Sequence, residues 1–423
     1  MFVGITNTPR DYAWGSRTAI ADLLGHPASG QPEAEFWLGA HAGSPSIIED
    51  PDQVGGARDL AEWIAAEPAA ALGAVSVGAP PRLPFLLKIL AADRPLSLQA
   101  HPTPARALAG FDLEDASDVP VGAGNRNYRD PFHKPELIYA LSETFEALSG
   151  FRDLAEVRRI IGELRALDTA TDDPQPGALD ALESRLVGVD AVRETVDWLL
   201  RDGRGGDSGE VKWLVERVVA LAAYADFLAE GGAVISFARE LETVRVLARE
   251  YPGDPGIVIA LLVNRVSLTR GEALYLPAGN IHAYLSGLGV EVMAASDNVL
   301  RGGLTPKHID IDELLAVLDF TPVPPPYLVP IRESPGVSVF RPDVPDFQLI
   351  HIEAAAVAGE PVPMRQFTLS GPGIAVCTAG GFLVAGAGAS VSLKRGQSVY
   401  VTPDEGMLTF AGAGEVFLAT TGA

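Results

Sequence analysis

Pro84-Phe-Leu-Leu-Lys-Ile-Leu90, followed by Pro95-Leu-Ser-Leu-Gln-Ala-His-Pro102, reads as apolar, strand-like sequence with a few polar side chains embedded in it. Gln99 and His101 stand two apart, so on an extended chain both project from one face. An amide and an imidazole emerging together from an apolar wall need partners to offset their burial, and a bound cation would supply one. Ordinary hydrogen bonding satisfies such a pair equally well, so the rest of the chain has to decide.

The chain has 423 residues, of which 47% are hydrophobic and 21% charged, with 44 Gly and 33 Pro. That is a globular composition, rich in turns and expected to be rich in β structure, and long enough for two or three domains. A formal charge of −23 disfavours nucleic acid and anionic lipid as partners, since no local basic patch overrides it. An anionic substrate would need Lys and Arg gathered in one pocket. The single cysteine, Cys377, excludes a disulfide framework and a thiolate-rich zinc site and suits a reducing compartment. The N-terminus does not read as a signal peptide and no apolar run reaches bilayer length, so a soluble, cytoplasmic protein is expected.

Up to about residue 150, short apolar runs broken by Gly, Pro and Asn indicate antiparallel β structure, with helices over Arg17–Leu24 and Ala57–Ala66. From Leu154 the period changes: Val157, Ile160, Ile161 and Leu164, then Leu182, Leu186, Val192, Val196 and Leu199, recur at helical spacing. This helical block continues through Val211–Leu228 and Ile235–Tyr251 and closes at Pro252-Gly-Asp-Pro-Gly256. Ile257–Val263, Ala273–Leu276 and Gly289–Met293 then read as strands, a helix follows at Ile311–Leu318, and a Pro-rich linker at residues 321–327 leads to a β-rich tail. The expected division is therefore a β unit over 1–150 and 256–320, a helical insertion over 151–255, and a separate β unit over 321–423. Arg270-Gly-Glu-Ala-Leu-Tyr-Leu-Pro is echoed by Arg395-Gly-Gln-Ser-Val-Tyr-Val-Thr-Pro; an ungapped shift sets Met407 opposite His282, which makes the tail a metal-free, structural copy of the first unit.

Two further segments bear on Gln99 and His101. In Tyr128-Arg-Asp-Pro-Phe-His-Lys-Pro-Glu-Leu-Ile-Tyr-Ala-Leu141, Pro135 suits a strand start, which puts Glu136, Ile138 and Ala140 on one face and Lys134 just outside. In Leu276-Pro-Ala-Gly-Asn-Ile-His-Ala-Tyr284, a Gly-Asn turn delivers His282 at the start of a strand. Each segment alone reads equally as a solvated strand end or a turn histidine. Together Gln99, His101, Glu136 and His282 supply two imidazoles, a carboxylate and an amide oxygen, a set that suits one Zn²⁺ with room for substrate; Mn²⁺ and Fe²⁺ also suit it.

With these motifs the chain resembles the type I phosphomannose isomerases. The resemblance also runs through Tyr12-Ala-Trp-Gly15, Ala34-Glu-Phe-Trp-Leu-Gly-Ala-His41, Phe145-Glu-Ala-Leu-Ser-Gly-Phe-Arg152 and Ser296-Asp-Asn-Val-Leu-Arg-Gly-Gly-Leu-Thr-Pro-Lys307. It covers most of residues 1–320, is weakest in the helical block and only architectural in the tail. It implies two cupin-type jelly-roll barrels with an inserted helical domain, and a zinc-dependent aldose–ketose isomerase acting on mannose 6-phosphate and fructose 6-phosphate through an enediolate. The implied zinc ligands are Gln99, His101, Glu136 and His282.

The cations that the resemblance brings to a phosphate are Lys134, Arg301 and Lys307, with the Ser97 hydroxyl beside them. Arg301 would also favour the developing enediolate charge. His133, Glu291 and Asp297 are all candidates for the base, while Glu291 and Asp297 suit equally a role orienting other groups. Trp14, Glu35, Trp37 and His41 either border the pocket or belong to the core. Phe132 stands where the family pattern leads one to expect Asn, and Gly302-Gly303 where Ala-Gly is commoner. The rival readings are a non-catalytic cupin that senses a phosphosugar and a storage barrel. No dimerisation signature is present, so a monomer is expected.

Overall fold

The computed structural model describes residues 1–73, 81–204 and 209–422. Its eleven α-helices and nineteen strands form two antiparallel sheets with a helical block between two strands of one of them. The pairings among the described residues do not include a closed barrel.

The nine-stranded sheet carries the site. Its backbone order runs from the edge strand Leu300–Gly303 through Leu98–Ala100, the long His282–Ala294 and Phe85–Ala92 to Glu35–Leu38. His282–Ala294 also pairs along its length with Glu136–Ala140 and Thr144–Phe151, so the strands carrying Lys88, Gln99 and Glu136 all pair with it. Register brings Gln99 opposite His282 and Arg301 opposite Gln99, and sets Lys88 opposite Glu291.

The helical block comprises Leu154–Thr169, Pro176–Glu183, Ala191–Gly203, Glu210–Glu230 and Ala238–Glu250. Its apolar faces share one core with Leu98, Ala100, Leu300 and Leu304 of the sheet edge. At about 1.5–3 kcal/mol for each fully buried Leu or Val, that contact holds the block firmly against the strands of the site.

Three expectations need correction. Ile257–Val263 is not a strand: Gly256–Leu262 is a helix buried at every position, and the strand begins at Val263. A short apolar run buried on all sides has no period to distinguish the two states. The helix Pro104–Ala116 falls inside the stretch read as β; its buried face is little more than Ala107, so it lacks an apolar stripe. Phe2–Thr6, assigned by sequence to the first β unit, pairs with Ser398–Val401 in the ten-stranded sheet of the tail. The two sheets also share apolar packing: Val3, Ile5, Phe36, Phe85, Leu137, Tyr139, Phe340, Tyr400 and Phe417 belong to one continuous core between them.

The internal echo appears in the elements themselves. Ala273–Leu276 and Ser398–Val401 each follow a glycine at positive φ, Gly271 at 97° and Gly396 at 86°, and each precedes a long strand that starts at His282 or Met407.

Candidate metal centre

His101, Glu136 and His282 are all buried, and one ligand atom from each lies within 4.8 Å of the other two. Their strands explain the convergence. Glu136 opens the strand Glu136–Ala140, His282 opens the strand His282–Ala294, and His101 follows Leu98–Ala100 directly. His101 Nε2 is 3.2 Å from Glu136 Oε1, and His282 Nε2 is 3.3 Å from Glu136 Oε2.

The outer nitrogens of both rings face carbonyl oxygens: His101 Nδ1 is 2.7 Å from Asn298 O, and His282 Nδ1 is 3.0 Å from Asn280 O. A carbonyl only accepts, so both Nδ1 atoms carry the proton and both Nε2 lone pairs face inward, the form a metal needs. His101 Nε2 and Glu136 Oε2 are buried without a hydrogen-bond partner. Orphaned acceptors of this kind are costly in a folded interior, and a divalent cation resolves both. Burial lowers His101 to about 4 against the pull of Glu136, keeping the ring neutral. Burial alone raises the Glu136 carboxyl, but His101 and the Lys134 ammonium outweigh it and hold it well below the usual carboxylate range. Neutral imidazole and ionised carboxylate are the metal-binding states. Gln99 adjoins the group, with its amide nitrogen 3.3 Å from His282 Nε2; turning the amide over points its oxygen inward.

Lys134 does not lie outside the site, as the sequence suggested. Glu136 is two residues on along an extended chain, so both side chains share a face; Lys134 is buried with Nζ 3.3 Å from Glu136 Oε1. His133 takes the opposite face and hydrogen-bonds Asp346, in the bend before the tail strand Gln348–Ala354, at 2.8 Å. Asp297 stays at the mouth, half-exposed, 3.3 Å from His41 Nε2; burial alone raises it, and His41, Lys134 and Arg129 hold it below its ordinary value.

Beside the carboxylate of Glu136 lies a second buried polar group. Lys88 Nζ donates to Glu291 at 2.8 Å and lies 3.6 Å from Glu35; Tyr284 donates to Glu291, and Trp37 Nε1 to Glu35. Burial is the largest influence on Lys88 and lowers it, yet three carboxylates keep it protonated. Burial, with Glu136 and Glu35 nearby, raises Glu291. Sequence reading passed over Lys88; a charged residue inside an otherwise apolar strand was the available signal. Trp37 and Glu35 therefore border this polar group, whereas Trp14 packs on an apolar cluster.

Arg301 is half-buried, and burial together with the charge of Arg129 lowers it. Lys307 is lowered by burial, Arg301 and Arg129. None of the three makes an ion pair among the described residues, which is unusual in a chain of charge −23. Arg129, also overlooked in the sequence, is tied to this corner through its backbone N–H, which donates to Asn298 Oδ1 at 2.8 Å. Ser97 is half-buried just before the strand Leu98–Ala100. Phe132 lies under the guanidinium of Arg82, whose carbon is 3.5 Å from the ring centroid.

A buried His–Glu–His centre on an antiparallel sheet, rimmed by unpaired cations, defines a metal-site protein suited to an anionic ligand. The type I phosphomannose isomerase catalytic domain matches residues 2–154. Mannose-6-phosphate isomerase of Escherichia coli is 34% identical over 97% of each chain, and that of Rattus norvegicus 30% identical over 94% of this chain and 93% of its own. Among solved structures, the zinc-bound holo form of a mannose 6-phosphate isomerase superposes with a TM-score of 0.82 at 32% identity, covering all of both chains. The apo form from Salmonella typhimurium gives 0.81 at 32% identity over 100% of this chain and 99% of that one. The chain belongs to the type I phosphomannose isomerase family.

Proposed function

We propose that this protein is a zinc-dependent isomerase that interconverts mannose 6-phosphate and fructose 6-phosphate. The observation that carries the reading is the pair of inward Nε2 lone pairs facing the Glu136 carboxylate, in a chain whose relatives are named for this activity. Gln99, His101, Glu136 and His282 would hold the ion, whose chemistry, when bound, is Lewis-acid polarisation of the sugar oxygens. Arg301 and Lys307 anchor the phosphate, Arg301 also facing negative charge as the enediolate forms. Ser97 offers a hydroxyl to the same phosphate. Lys134, paired with Glu136, belongs nearer the reacting carbons than the phosphate.

Isomerisation moves a proton between adjacent carbons, which requires a group that can take and return it in a dry site. Of the three candidate bases, Glu291 fits best. His133 is held by Asp346, and Asp297 is ionised at the mouth, while Glu291 is buried, raised, and hydrogen-bonded to a protonated Lys88. Asp297 then orients His41. The fold reading extends to two cupin-type jelly rolls with an inserted helical domain over 151–255, supported by the repeated turn–strand–turn–strand unit. No helix among the described residues is long and apolar enough to cross a membrane.

The test is a coupled assay on mannose 6-phosphate with metal analysis of the same sample, repeated in heavy water. Stoichiometric divalent metal, fructose 6-phosphate and deuterium at C2 are expected, all abolished by chelation. Glu291→Gln should lower turnover by about 10²-fold or more while retaining metal. Metal and sugar binding without exchange at C2 would leave a phosphosugar sensor in place of the enzyme.

A further inference from the structure

The strand that carries Arg301 is the edge of its sheet, paired on one side only, with Leu98–Ala100. An edge strand of four residues with an irregularity between Arg301 and Gly303 is poorly fixed by pairing alone. Directly after it comes Leu304, one of two non-glycine residues with positive φ (54°) among those described. A leucine in the left-handed region costs about 1–2 kcal/mol and persists only where its surroundings hold it.

The holding group is Asp254, in the turn that closes the helical insertion. Its Oδ1 accepts from Leu304 N at 2.9 Å and from Gly256 N at 2.8 Å. Its Oδ2 accepts from Arg204 at 2.9 Å, and the same guanidinium donates to Thr305 O at 2.7 Å. The approach is close enough that a Cβ on Gly256 would lie 2.9 Å from Leu304 N, and one on Gly303 would lie 2.9 Å from Gly256 Cα. Three residues before Asp254, the Tyr251 hydroxyl donates to Pro95 O at 2.6 Å, at the entry to the partner strand. One turn of the insertion thus grips both strands of the edge pair, one bearing Gln99 and the other Arg301.

We propose that Asp254 is a positioning residue for phosphate recognition: by bonding Leu304 N it sets the edge strand so that Arg301 and Lys307 converge on one anion. This rests on the phosphate role given to Arg301 above. Asp254 touches neither metal ligand nor substrate, and its effect passes through the backbone of Leu304.

The test uses zinc-loaded, full-length protein and inorganic phosphate as the probe, with its Kd measured by calorimetry alongside KM and kcat for mannose 6-phosphate. Asp254→Ala should raise both the phosphate Kd and KM by about tenfold, with kcat changed less and zinc content unaltered. Asp254→Asn keeps an oxygen for Leu304 N and Gly256 N and should restore most of the loss. If Asp254→Ala does not fold, Gly256→Ala, which pushes the turn off Leu304, should give the same paired rise. Unchanged Kd and KM, loss of zinc in step with activity, or no recovery in Asp254→Asn would overturn the proposal. Arg301→Ala separates the two readings: if it leaves the phosphate Kd intact the anchor assignment itself fails, whereas an Arg301 effect without an Asp254 effect removes only this inference.

Discussion

At the scale of single residues, His101 shows how burial and tautomer combine to prepare a ligand. Its folded-state value of about 4 lies below the roughly 6.5 of an unfolded imidazole, so below pH 6.5 the unfolded chain takes up the proton that the folded chain refuses. Stability is therefore lost as pH falls from about 6.5 towards 4 and is level above that window. Chelator-treated protein should lose roughly 2 kcal/mol between pH 7 and pH 5 from this residue, read by urea denaturation. Saturating zinc should shrink the loss, because it binds the neutral ring of the folded state. An apo protein equally stable at both pH values would contradict the description of His101 as a buried neutral ligand.

The ligand types were legible in sequence, and His101, Glu136 and His282 do converge. Lys134, His133 and Lys88 were not legible in the same way. Which face of a strand looks inward depends on register, and a one-residue change of phase moves a side chain to the other side. Lys134 shares the inward face with Glu136, and His133 is turned to the tail for the same reason.

Among the elements, the helix Pro104–Ala116 is the most instructive. It has no apolar stripe, yet its start was written in the chain: Thr103 is the N-cap, its hydroxyl accepting from Arg106 N at 3.3 Å, and Pro104 occupies the first turn. Thr103→Ala should cost about 1 kcal/mol of stability without altering zinc content, although the residue is two positions from His101. A larger loss, or a loss of metal, would mean that the cap also fixes the ligand. Gly256–Leu262 fails differently, because Asp254-Pro255-Gly256 is a helix start that reads equally as a loop.

For the whole molecule, the joint core between the two sheets is the decisive feature. Phe2–Thr6 completes the tail sheet, while Val3 and Ile5 pack with Phe85 and Leu137 of the site-bearing sheet. A boundary drawn at residues 321–327 cuts this core, so the two sheets should melt in one calorimetric transition. Two resolved transitions would show that the shared core couples them weakly. Ile5→Ala, at a position 1% exposed, should cost about 2–5 kcal/mol and lower that single transition as a unit, far though it lies along the chain from His101, Glu136 and His282.

By itself the amino-acid sequence pointed to His101, Glu136 and His282 as one group, to a helical block between the strands, and to a β-rich tail. These follow from local periods, turn residues and side-chain chemistry, which short stretches express independently. Only the tertiary structure decided that the first strand joins the last sheet, that Lys134 and Lys88 face inward, and that a turn of the insertion grips the strand of Arg301. Those depend on register and on which apolar faces bury one another, quantities set by residues hundreds of positions apart.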